Sequence, residues 1–418
     1  MKLATIRQMA ILAGGLATRL GTISAGTPKA ALPIGGRPFL AWQMQEISRF
    51  GVDEILFLCG HLSERLREIV NDIAADLPRR LSIRFSEEPV RAGTGGALFH
   101  ARALLDARFL LCNGDSFFDT NLAALLADGA DDGPDVLARM IVREVADTSR
   151  FGLVTLIGDR VAAFAERGGA HPGLINGGIY LLDRRIVAEI PEICSLERDV
   201  LPGLAQAGKV RATIGAGYFI DIGIPDDLAR ADQELPAVLK RRALFLDRDG
   251  TINIDYGWVG SPVRWEFVAG AEDAIRLATE AGWHVFIVTN QSGVARGFYD
   301  VAAVDDLHAW VADAVRQRGG TIDDVRMAPH HPAAVVAEFR QDSDWRKPKP
   351  GMLLDLLRAW QLDPQRCILV GDQPTDVAAA EAAGMPGYRF PGGNRADFVA
   401  PLLAAERRGR MVERTIPG

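Results

Sequence analysis

LFLDRDGTIN, residues 244–253, decides how this chain is read. Three apolar residues run into Asp247, so a short buried strand ends where the acidic residues begin. Asp247 and Asp249 are two apart, and in extended chain their side chains face the same way. Adjacent carboxylates repel, and a Mg²⁺ between them relieves the repulsion. Asp247 is then suited to attack phosphorus and form an aspartyl-phosphate. Asp249 is suited to protonate the leaving alcohol and later to activate water. Gly250 frees the backbone to turn, and Thr251 caps that turn near the substrate. The alternative is a solvated acidic loop, and the surrounding motifs argue against it.

Outward from this stretch the same pattern repeats. ALFLD (243–247), HVFIVTN (284–290), DDVRMA (323–328) and RCILVGD (366–372) are apolar runs, most ending on a polar or acidic residue. Open parallel sheets present ligand-binding groups at such strand ends. VTNQSG supplies Thr289 and Asn290 to hold phosphate oxygens. RKPKPG supplies Lys347, with Arg346 beside it, to balance charge on a phosphoaspartate. VGDQPTD supplies Asp372 for the metal, with Asp376 as its support.

Together these motifs resemble the haloacid dehalogenase superfamily over about 243–390. DRDGTIN, GAEDAI, VTNQSGVARG, PHHP and RKPKPGM further resemble its heptose-bisphosphate phosphatase group, kin of the histidinol-phosphate phosphatases. The resemblance implies a zinc loop of three cysteines and a histidine. This chain has Ala328, His330, Ser343 and Trp345 at those positions, so only His330 remains. Zinc needs about four nitrogen or sulfur ligands, and no zinc is expected. Packing, with Trp345 as a candidate, is expected to hold the loop instead. His331 reads as a local hydrogen-bond partner. His61, His100, His171, His284 and His308 lack ligand spacing and read as structural.

The first half alternates in the same manner. QMAILA (8–13), EILFLC (54–59), LSIRF (81–85) and RFLLC (108–112) predict buried strands, with helices near 38–50, 62–76 and 95–105. Such alternation predicts a parallel sheet with crossover helices. VLARMIV, GLVTLI and RVAAFAE, within 136–165, leave little room for helices and predict an inserted antiparallel patch. ILAGGLATRL leads a strand into Gly14-Gly15, where backbone N–H groups can approach phosphate. Arg19 and the Lys29 of TPKAALPIGG can neutralise a triphosphate, and Pro28 restrains the lysine's backbone.

This stretch resembles the sugar-1-phosphate nucleotidyltransferases over roughly 8–235, with Ala17 at a usual glycine position. The resemblance implies a nucleobase lying against Gly93, Thr94 and Gly95. It implies Asp115 of NGDSFFD and Asp221 of YFIDIG as Mg²⁺ carboxylates. It also implies sugar and sugar-phosphate contacts from Glu166, Arg167, Asn176 and Gly177. Arg167 stands where the family usually has lysine, and the fork of arginine is not the point charge of lysine. Within the family, LINGGIYLL, SLERDVLPGLA and GYFIDIGIPDDLARA look most like heptose-1-phosphate guanylyltransferases.

The expected fold class is α/β throughout. It comprises two Rossmann-like three-layer domains, a mixed GT-A-like sheet in residues 1–236 and a haloacid dehalogenase-like parallel sheet in 237–418. ADQELPAVLKRR (231–242) spans the boundary. At 418 residues, 48% hydrophobic and 24% charged, two ordinary globular domains are the default. A net charge of −7 argues against a nucleic-acid binder. No window reaches the roughly 18 apolar residues of a membrane span, and the short MAILA run leads directly into Gly14-Gly15 rather than a leader's cleavage site. Cys59, Cys112, Cys194 and Cys367 are scattered, as in a reducing cytoplasm.

The two resemblances describe consecutive steps. A phosphatase acting on D-glycero-D-manno-heptose 1,7-bisphosphate would release the 7-phosphate. Heptose 1-phosphate would then accept a nucleotidyl group from a nucleoside triphosphate, GTP by resemblance. A transferase for another hexose 1-phosphate joined to another small-metabolite phosphatase stays open. So does a regulatory nucleotide-sugar binder with one inactive domain, although Arg19, Lys29, Asp115 and Asp221 all survive. The base, the sugar and self-association are not fixed by these residues.

Overall fold

The computed structural model describes residues 6–15, 20–21, 26–60, 62–165 and 169–412, with side chains through 404. The chain divides into two compact units, Met1–Leu239 and Lys240–Gly418. Arg19, Glu166 and Arg167 lie outside the described residues, as do Ala17 and His61.

The first unit is built on a nine-stranded mixed sheet. Strands Ser82–Glu87, Glu54–Cys59, Gln8–Leu12 and Arg108–Asn113 run parallel in that order. The apolar runs of the latter three are continuous because both faces are covered. Ser82–Glu87 instead lies at the sheet's edge, alternates polar and apolar residues and is only half-buried, which corrects its reading as a buried strand. Ala10, Leu56 and Leu111 enter one core, and Met9, Ile11, Phe57 and Leu110 enter the other. Gly173–Asp183 then joins antiparallel, wedged between Arg108–Asn113 and Ala138–Val145. The closely spaced strands Leu153–Ile157 and Arg160–Ala165 pair as an antiparallel hairpin at the far edge.

A separate ribbon brings two carboxylates of this unit together. Ser116–Phe118 pairs with Phe219–Asp221, and Asp221 lies opposite Ser116. Asp115, one residue before the ribbon, is thereby brought beside Asp221, and its carbonyl accepts from the Ile222 N–H. The glycines expected to face a nucleobase begin a helix, Gly93–Ala101. Gly93 has φ +81°, and a Cβ there would stand 2.4 Å from the Cys194 carbonyl oxygen. Glycine alone satisfies both demands.

The second unit holds an all-parallel five-stranded sheet. Its order is Asp324–Ala328, His284–Asn290, Ala243–Leu246, Cys367–Gly371 and Gly387–Arg389. The first strand in sequence is therefore central. Leu244 and Leu246 feed one core, Ala243 and Phe245 the other. The carboxyl ends of this strand and its two neighbours deliver Asp247, Thr289 with Asn290, and Asp372 to one edge, where such sheets place ligands. No helix among the described residues is long and apolar enough to cross a membrane.

Candidate functional sites

In the second unit, the Lys347 ammonium lies 2.6 Å from both Asp247 Oδ1 and Asp376 Oδ1 and donates to the Val288 carbonyl at 2.8 Å. Asn290 clamps the same residue, accepting from the Lys347 N–H and donating to its carbonyl. Burial alone would lower the lysine's pKa, but the two carboxylates raise it above its ordinary value. Burial pushes Asp247 up to about 7, with Lys347 opposing and Asp376 and Asp249 adding to the rise. Asp372 is also raised, chiefly by burial.

Asp247, Asp372 and Asp376 place carboxylate oxygens within 4.8 Å of one another. Asp372 Oδ1 is buried without a hydrogen-bond partner. Gly250 has φ +78°, and a Cβ there would sit 2.5 Å from Asp372 Oδ2. An orphaned hard oxygen among close carboxylates fits an oxygen-seeking divalent cation such as Mg²⁺. Asp376 is committed to Lys347 and to the backbone N–H of Gln373, leaving Asp247 and Asp372 as the candidate holders.

The Asp249 carboxylate differs from its expected place among metal ligands, because it does not belong to this trio. Three donors turn it aside: Arg248, Gln291 at 2.7 Å and Asn253 at 3.0 Å. It still lines a cavity of about 380 Å³ with Asp247, Thr289, Asn290, Lys347 and Asp372. Gln291, which the sequence reading did not single out, is buried and also bonds Thr289, Arg248 and Tyr299. Thr251 is fully buried beneath the turn and lines no part of the cavity. Arg346 is half-buried and donates to the His330 carbonyl. Trp345 packs against the core, and the Ser343 hydroxyl accepts from its N–H.

In the first unit, Gly14, Gly15, Lys29, Gly93, Thr94 and Asp115 line a cavity of about 260 Å³. Gly95 is turned away, against Cys194. Glu88, Arg91 and Glu197 share the wall and were not legible as site residues. Thr94 donates to Glu197 at 2.7 Å. Lys29 Nζ lies 2.6 Å from Asp115 and 3.9 Å from Asp221. Burial raises the Asp221 pKa, with Asp115 adding and Lys29 opposing. A Cβ at Gly223 would come within 2.7 Å of Asp221 Oδ1 and 3.2 Å of Lys29 Nζ. Two adjacent carboxylates, one raised by burial and further by the other, in a gap kept clear by glycine fit a Mg²⁺ site.

Asp221 lines a second cavity, of about 690 Å³, together with Arg143, Arg150, Phe219 and Arg230. Asn176 and Gly177 line neither cavity. The Asn176 side chain bonds Tyr180 and the Gly178 N–H, shaping a bulge in its own strand.

Comparison with known proteins assigns the two units to families. The nucleotidyl transferase family model matches residues 9–237, and a HAD-hydrolase-like model matches residues 344–407. The chain belongs to the nucleotidyl transferase family and carries a HAD-like phosphatase as its second part. It is 45% identical, over 41% of its length and 96% of the relative's, to D-glycero-beta-D-manno-heptose-1,7-bisphosphate 7-phosphatase of Rhodopseudomonas palustris. The Escherichia coli K12 protein of the same name is 43% identical over 34% of this chain and 75% of its own. The solved structure of HddC from Yersinia pseudotuberculosis is 30% identical, covering 55% of this chain and all of that one, with a TM-score of 0.49. The protein is thus an enzyme with a transferase part and a phosphatase part.

Proposed function

We propose that this chain carries out two consecutive steps toward a nucleotide-activated heptose in the cytoplasm. The phosphatase part removes the 7-phosphate of D-glycero-D-manno-heptose 1,7-bisphosphate. The transferase part joins the resulting heptose 1-phosphate to GMP drawn from GTP. The observation that carries this reading is 45% identity to a 7-phosphatase across 96% of that protein, in one chain with a nucleotidyl transferase domain. The product of the first reaction is the acceptor class of the second. The guanine preference rests on the LINGGIYLL, SLERDVLPGLA and GYFIDIGIPDDLARA segments.

In the phosphatase, an Asp247 oxygen attacks phosphorus while the C7 oxygen leaves with a proton from Asp249. Water then attacks the aspartyl-phosphate, returning its proton to Asp249 and freeing phosphate and Asp247. Thr289 and Asn290 hold phosphoryl oxygens, and Lys347 offsets their charge. Arg248, Gln291 and Asn253 fix the Asp249 carboxylate at the cavity wall. Mg²⁺, when held by Asp247 and Asp372, supplies charge neutralisation at the phosphoryl group.

In the transferase, a sugar-phosphate oxygen attacks the α-phosphorus of GTP and pyrophosphate leaves. No covalent enzyme intermediate forms, so positioning and electrostatics supply the acceleration. Lys29 and Arg19 neutralise phosphate charge, and Asp115 and Asp221 would hold Mg²⁺, which would add charge neutralisation at the phosphates. The test is a coupled reaction of the full chain with heptose 1,7-bisphosphate and each of the four common nucleoside triphosphates, with products identified by mass. Phosphate, pyrophosphate and GDP-heptose are expected. Another nucleotide sugar would replace the base assignment, and release of phosphate alone would remove the transferase assignment.

A further inference from the structure

The transferase unit contains a cation that none of its assigned roles uses. Arg143 lies on strand Ala138–Val145, where Ile141 of the same face packs into the core and Arg143 stands two residues further along. Its guanidinium is centred 5.1 Å from the ring of Phe219 and 5.7 Å from that of Phe118. Three guanidiniums line the cavity of about 690 Å³. Arg150 and Arg230 both pair with Asp227, at 2.8 and 3.2 Å. Arg143 has no carboxylate partner among the described residues, and its Nε is buried without an acceptor. An unmet donor of this kind is costly unless something arrives to accept from it.

The cavity's position says what arrives. It shares no lining residue with the glycine-walled cavity of Gly14, Gly93 and Asp115. The two are linked through Lys29, whose ammonium reaches Asp115 of one and Asp221 of the other. Phe219 and Asp221, two apart on one strand, both face the larger cavity. A donor nucleotide in the smaller space and an acceptor in the larger would thus meet at the acidic pair. A phosphate monoester matches the planar fork of arginine with two acceptor oxygens.

We propose that Arg143 binds the phosphate of the acceptor sugar and sets the affinity for that substrate. This rests on the transferase reading given above. The Arg143→Met variant keeps an apolar stem over the phenyl rings and removes the fork. It is expected to raise KM for heptose 1-phosphate about 10- to 100-fold, leaving KM for GTP within about twofold, the margin of a surface change that leaves donor contacts intact. Arg143→Lys should recover part of the loss, as charge without the fork.

Phenylglyoxal labelling of the full-length enzyme, with the Arg143 peptide followed by mass, gives a readout that needs no turnover. Heptose 1-phosphate, mannose 1-phosphate or inorganic phosphate should protect that peptide, and GTP alone should not. Equal rises in both KM values, or protection by GTP alone, would overturn the proposal, as would unchanged kinetics in a folded Arg143→Met protein. If that variant fails to fold, the labelling of the natural protein decides. Protection by phosphate in an enzyme that transfers to no sugar phosphate would remove the transferase reading and leave the anion site standing. No protection by any of the three would remove the anion site itself.

Discussion

Each unit holds a lysine between two aspartates, but the two clusters live in different media. Lys347 is 3% exposed, with Asp247 and Asp376 at 10% and 1%. Lys29 is 14% exposed, with Asp115 and Asp221 at 38% and 46%. The sealed cluster is part of the architecture, since none of its charges can turn to water if a partner is lost. The open cluster can exchange partners with solvent and substrate at little cost to the fold. One motif therefore couples stability to chemistry in the phosphatase and separates them in the transferase.

The contrast is sharpest at Asp247, the proposed nucleophile. Asp247→Asn keeps the shape of the sealed cluster and should reduce phosphate release by roughly 10³-fold or more, with pyrophosphate release by the other unit unchanged. Parallel assays on one preparation check this, and joint loss of both activities would refute independent sites. Next come the two lysines. Lys347→Met should cost the second unit about 3–5 kcal/mol in a denaturant titration, because it strands two buried carboxylates. Lys29→Met should shift the first unit's unfolding by no more than about 1 kcal/mol while slowing nucleotidyl transfer roughly 10²-fold. Equal stability losses would erase the distinction between the clusters.

Gly250→Ala probes how tightly the sealed site is built. Positive φ and the approach of Asp372 together should cost about 1–3 kcal/mol, measured by thermal unfolding. A pH-dependent effect concerns His308, whose pKa burial depresses to about 3, with Arg248 also lowering and Asp249 raising it. Between that value and the unfolded value near 6.5 the unfolded chain binds the extra proton, so stability falls as pH falls through this window. Unfolding free energies from urea titrations between pH 7 and 4 should decline less steeply in His308→Leu than in the natural chain, by at most about 1.4 kcal/mol per pH unit.

Much of this organisation was legible in the sequence because both sheets announce themselves as apolar runs. Gln8–Leu12, Glu54–Cys59 and His284–Asn290 lie within a residue of their expected bounds. Residues at strand ends were readable for the same reason, Asp247, Thr289, Asp372 and Asp115 among them. What escaped depends on long-range pairing. Arg143, Arg150 and Arg230 come from a strand, a loop and a helix with no shared period, and only the folded sheet gathers them around one cavity. Glu197 reaches Thr94 across the chain through a single hydrogen bond. Gln291 stood inside a motif that was quoted, but its role comes from the buried Arg248 behind it. The Asp249 side chain lies outside the acidic trio for the same reason, since two-residue spacing fixes a direction but not the donors that meet a side chain there.

The ribbon of Ser116–Phe118 and Phe219–Asp221 also imposes a timetable. A nascent chain threading out of the ribosome displays Asp115 well before its mate, and neither aspartate has its neighbour until residue 221 emerges. If transfer needs both aspartates, as proposed, the transferase stays inert until residue 221 has emerged, and any truncation ahead of that short strand should leave half of the acidic pair.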